Sequence, residues 1–84
     1  MITPSEADVL AEKAVNEYLS ACGPQTREDA GNALMKLASM CGLCMCAIVG
    51  NEDAVDRLNG TVKRISRAQE GVDWAMKSNA SRTN

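Results

Sequence analysis

The sequence predicts an all-α protein, and three observations carry that prediction. Three segments each open on a capping residue followed by acidic residues, and the first two close on glycine. Apolar residues recur at spacings of three and four through the first and third segments, the period of a helix with one packed face. The middle segment contains residues 37–50, fourteen in a row without a charge, and a helix that is apolar nearly all round has to be covered on most sides. Together these predict a three-helix antiparallel bundle, with a tight hairpin between the second and third helices and the first packed across it.

The first helix is expected over about 4–21. Thr3-Pro4-Ser5-Glu6 has the form of a capping box, with proline where its missing N–H costs nothing. Ala7, Ala11, Ala14, Tyr18 and Ala21 make a stripe that Val15, Leu19 and Cys22 widen. Gly23 and Pro24 end it. The second helix, about 27–49, opens on Thr26 as cap, with Glu28 and Asp29 at the positive end of its dipole. Leu34, Leu37, Cys41, Met45 and Ile48 share one face, while Met40, Leu43 and Ala47 lie well away from it. A row of small residues, Ala38, Gly42, Cys46 and Gly50, would let another backbone approach closely. Gly50 ends this helix and Asn51 is expected to cap the third, about 52–77. There Val55, Leu58, Val62, Ile65, Gln69, Val72 and Met76 keep heptad spacing. Gly71 offers an earlier stop, at Glu70, but Val72 and Met76 keep the phase and favour continuation to about Lys77. Residues 78–84 are polar, unpatterned and expected to be disordered.

Eighty-four residues make one small domain, which buries only about 60% of its unfolded surface. With no Phe, one Tyr and one Trp, the interior is aliphatic and rich in Met and Ala. The net charge of −2 hides an asymmetry: residues 1–56 hold nine acids against three bases, residues 57–84 two acids against six bases. Head-to-tail self-association or an anionic partner for the second half would use it. No basic segment precedes an apolar one at the start of the sequence, and the uncharged run falls short of the roughly 20 residues needed to span a bilayer. The expectation is a cytoplasmic protein without a membrane segment, its four cysteines reduced.

Two constellations could carry chemistry. Cys22, Cys41, Cys44 and Cys46 are enough for a tetrahedral zinc site, but in a continuous helix Cys46 stands about 140° from Cys41 and 200° from Cys44. The preferred reading is four small buried hydrophobes with no metal or other cofactor; a zinc-stabilised module is the alternative. Arg57, Arg64, Arg67 and Trp74, with Gly60 and Gly71, drift along the side of the third helix opposite its seam. They suit an anionic ligand or nucleic acid; the competing reading is a solvated face with Asp53–Arg57 and Arg67–Glu70 pairs. Catalysis has little support. Histidine is absent, no glycine-rich phosphate loop occurs, and the acid pairs Glu28/Asp29 and Glu52/Asp53 are explained by helix starts, so no enzyme is expected.

The stretches TREDAGNALMKL (26–37) and VGNEDAVDRL (49–58) resemble those of short phage-encoded helical accessory proteins. The resemblance implies a protein that binds and blocks a host factor, including CRISPR effectors and other defence components, and it assigns no residue a role. The residues themselves point to a non-enzymatic interaction protein with a protein partner. Two flanking helices leave Met40, Leu43 and Ala47 uncovered beside Ala38, Gly42 and Cys46, so a homodimer centred on the second helix is expected.

Overall fold

A computed structural model describes residues 1–69. It contains three α-helices, α1 (Pro4–Cys22), α2 (Arg27–Val49) and α3 (Asn51–Ser66), and no strand among the described residues. The all-α class is as the sequence predicts. The chain divides into two compact units, Met1–Cys44 and Met45–Asn84.

In the first unit, α1 starts on the capping box. The Thr3 N–H donates to Glu6 Oε1 at 2.8 Å and the Glu6 N–H donates back to Thr3 Oγ1 at 3.1 Å. It ends on Gly23, whose left-handed φ of 63° lets its N–H reach the Leu19 carbonyl. Thr26 caps α2 by accepting from the Asp29 N–H at 3.0 Å, and Asp29 Oδ2 accepts from the Gln25 N–H at 3.2 Å. α1 and α2 meet where the Tyr18 hydroxyl donates to the Ala33 carbonyl at 2.7 Å. Around that bond Ala7, Val15, Tyr18 and Leu19 of α1 and Ala30, Ala33 and Leu37 of α2 are half-buried. The α1 stripe is therefore shifted from its expected axis. Ala11, Ala14, Ala21 and Cys22 stay exposed, because the larger Val15 and Leu19 gain more from burial than alanines do.

The second unit holds the last turn of α2, Gly50 and α3. Gly50 alone connects the two helices, with φ 94° and ψ 159°, a conformation essentially restricted to glycine. It occupies the position before the first helical residue, so Asn51 opens α3 instead of capping it and no side-chain cap bond forms there. Met45, Cys46 and Ala54 are the sheltered residues on either side of this link. α3 ends at Ser66, well short of Lys77. The Ser66 hydroxyl donates to the Lys63 carbonyl at 2.7 Å, and the N–H groups of Arg67 and Ala68 bond three residues back, to Arg64 and Ile65. A hydroxyl competing for a backbone carbonyl and a tightened last turn stop the helix here. Gly71, Val72, Met76 and residues 78–84 lie outside the described residues.

The interior is sparse. Gly42 and Ala54 are the fully buried residues among those described, and no large side chain is completely enclosed. The expected seam residues Val55, Leu58, Val62 and Ile65 are all exposed.

Candidate functional site

One face of α2 in the first unit combines polar and apolar groups in solvent. Asn32, Met35, Lys36, Ser39 and Met40 line a shallow hollow at the three–four spacing of a single helix side. Leu43 continues the row, and Met40 and Leu43 are 65% and 66% exposed. The methionines are unbranched and polarizable, the kind of apolar surface that adapts to an irregular partner. Lys36, Asn32 and Ser39 set hydrogen-bonding groups among them.

The residues expected at the interface fall into two sets. Met40, Leu43, Ala38 and Ala47 are exposed; Gly42 is buried and Cys46 half-buried. The small row is thus partly used inside the chain and does not form an open track for a second backbone. Met35, Lys36, Asn32 and Ser39 were missing from the expected set. Their signal was legible: beyond the charged first turn, Asn32, Lys36 and Ser39 are the polar positions of α2, at helical spacing, and mark which side faces water.

The thiols differ from the sequence reading. Cys22, Cys41 and Cys44 are exposed and Cys46 is half-buried, so the first three are not the buried small hydrophobes expected of them. Among the described residues no group of three or more Cys, Asp or Glu side chains is placed to hold a metal ion, and helical geometry keeps Cys46 away from the Cys41–Cys44 side. These residues do not fit a four-thiolate zinc site.

On α3, Arg57, Arg64 and Arg67 are exposed, and Trp74 and Glu70 lie outside the described residues. Arg57 is bound within its own helix, Nε to Asp53 Oδ1 at 3.2 Å and the second guanidinium nitrogen to Oδ2 at 3.3 Å. This exposed pair contributes about 0.3–0.5 kcal/mol to α3. It also sets a carboxylate at the N-terminal end of the basic stripe, against its first arginine, which weakens the stripe as an anion site. Arg67 Nε donates to the Lys63 carbonyl at 3.4 Å.

α2 has a further property. Within its 23 residues an 18-residue window has a mean hydropathy of 1.7 with 6% of it buried, long and apolar enough to cross a membrane by length and composition alone. The shortness of the uncharged run therefore gives no ground for excluding a bilayer. No protein-family model, curated protein or solved structure matches this chain.

Proposed function

We propose that this is a small, non-enzymatic helical interaction protein that binds a protein partner through the open face of α2 and occludes it. The observation that carries this reading is the strip of Met35, Met40 and Leu43 standing in solvent along one helix side, interleaved with Lys36 and Ser39. Apolar side chains clustered in water favour association, and methionines favour a partner whose surface is irregular. The resemblance seen in the sequence extends the reading to an inhibitor of a host defence component such as a CRISPR effector; that extension rests on the sequence alone.

The test places a photo-activatable residue at position 43 and, as a control, at Lys13 of α1. The reading expects one protein to be cross-linked in cells from position 43 and not from position 13. Met40→Glu with Leu43→Glu should preserve helicity, since both side chains already contact water, and should weaken binding to the captured protein more than tenfold. Undiminished binding by a folded double variant would overturn the reading. Protection of α2 from labelling by added lipid vesicles would do so too, since the strip would then contact lipid.

A further inference from the structure

We propose that Cys41 and Cys44 form a two-thiolate site on α2 for a soft monovalent metal ion, copper(I), with the Met40 thioether beside them. The proposal does not rest on the partner reading above. At about 100° per residue, Leu43 of that strip stands about 100° from Cys44 and 160° from Cys41 around the helix.

The exposure of these thiols needs a reason. Free cysteine is among the residue types most often enclosed, because as a small hydrophobe it gains by packing. Cys41 and Cys44 are both exposed, within the unit Met1–Cys44, so packing gives them no role. They are three residues apart in the unbroken α2, hence about 60° apart around it and close to one turn apart along it. The other two thiols are placed elsewhere. Cys46 is half-buried, about 140° and 200° away, and Cys22 is in the last turn of α1 beside the Tyr18 hydroxyl.

Spacing decides what the pair can do. Residues three apart on a helix hold their Cβ atoms about 5–6 Å apart. A disulfide needs about 3.5–4.5 Å, so the pair cannot close on itself while α2 stays intact. A bridging ion fits the wider gap. Two metal–thiolate bonds of about 2.3 Å, the zinc value, put sulfurs on opposite sides of one ion about 4.6 Å apart. The two Cβ–Sγ bonds meet that separation by turning toward each other within staggered rotamers.

The donors choose the ion. Thiolate and thioether sulfur select soft metals, copper(I) among them, and a d10 monovalent ion is satisfied by two thiolates in line. Zinc asks for four ligands in a tetrahedron, and among the described residues no group of three Cys, Asp or Glu is placed to hold an ion. Between residues 37 and 49 the one hydroxyl, Ser39, stands about 140–160° from the pair. That side of α2 therefore offers calcium or magnesium no side-chain oxygen. Met40 is four residues before Cys44 and 65% exposed, which sets a third sulfur beside the pair. Binding expels both thiol protons and leaves the ion with its two thiolates at one net negative charge. The ion arrives as copper(I), and no electron is transferred.

Titration of the full chain against the copper(I)–bicinchoninate complex, without oxygen, tests this. The chain is expected to take one copper(I) per monomer from the chelator. Cys41→Ser and Cys44→Ser should each lower the affinity by more than the roughly 10–100-fold typical of losing an outer-shell partner, because a ligand itself is gone. Both side chains are exposed, so circular dichroism should show helix content unchanged. Alkylation of the unmodified chain needs no variant: bound copper(I) should protect Cys41 and Cys44 and leave Cys22 reactive. Undiminished affinity in either serine variant, or protection of Cys22 equal to that of the pair, would overturn the proposal. So would one ion per two chains in native mass spectrometry, or displacement of copper(I) by zinc(II). Either of these would mean a tetrahedral site completed by a second copy.

Discussion

Tyr18 reaches from α1 to the backbone of α2, and its hydroxyl ties the two helices where their half-buried side chains gather. Partial burial pushes its phenol above the ordinary value of 10.0, and the neighbouring Cys22 thiol adds to the effect through a hydrogen bond and its charge. A phenolate cannot donate to Ala33. The contribution of Tyr18 is therefore whole below the unfolded pKa and declines as pH rises from about 10 through the higher folded value. As this is the only tyrosine, absorbance titration reads it directly; an unshifted titration would contradict the contact. Tyr18→Phe should lower the thermal midpoint while leaving helix content unchanged. Glu6 has the opposite sign. Its bonds to Thr3, first through the Thr3 backbone N–H, hold its carboxyl below the usual 4.5. The capping box is complete above that value and opens as pH falls through the depressed pKa, so α1 frays from its start in acid. The side-chain carbon shift of Glu6 against pH, compared with Thr3→Ala, checks it.

The helices divide into what local chemistry specifies and what it does not. The bounds of α1 and α2 were legible because Thr3, Gly23, Thr26 and Gly50 each act on backbone groups a few residues away. The end of α3 was not, because Val72 and Met76 keep the apolar phase while Ser66 and Arg67 capture the carbonyl of Lys63. Nor could periodicity say which faces are covered. It groups Val55, Leu58, Val62 and Ile65 on one side of a helix correctly, yet nothing in a spacing states that another element lies against them. The same limit applies to Gly42, buried, and Leu43, its open neighbour. Two glycines with different geometry give a paired prediction. Gly50→Ala forces a side chain into a glycine-only conformation and should destabilise by about 1–3 kcal/mol, acting on the link between α2 and α3. Gly60 is mid-helix with open space around the site of a Cβ, so Gly60→Ala should stabilise by about 0.5–1 kcal/mol. Urea unfolding followed by circular dichroism measures both. Equal effects would mean that the Gly50 backbone is not held as described.

Taken together, the described residues leave fourteen large apolar side chains exposed, from Met1 and Ile2 through the faces of α2 and α3. Stability in so short a chain is the small remainder of burial over conformational entropy, and here most of the larger hydrophobes have not yet contributed their share of burial. Contacts made outside the single chain then add to folding by mass action. Self-association through these exposed side chains would draw only on folded helices, so raising protein concentration would shift the whole unfolding equilibrium toward the folded state. For a self-association with a Kd between about 10 µM and 1 mM, raising the concentration across that range supplies on the order of 1 kcal/mol, which for a domain of this size moves the thermal midpoint by roughly 4–8 °C. A purely apolar association keeps this increment at high salt, whereas one held by ion pairs loses it. Circular dichroism melts in short-path cells at three concentrations, each with and without added salt, make the comparison. A midpoint independent of concentration would place the stability of α3 inside the monomer. The exposed Val62 and Ile65 would then have to be held by helix propensity and the Asp53–Arg57 pair alone.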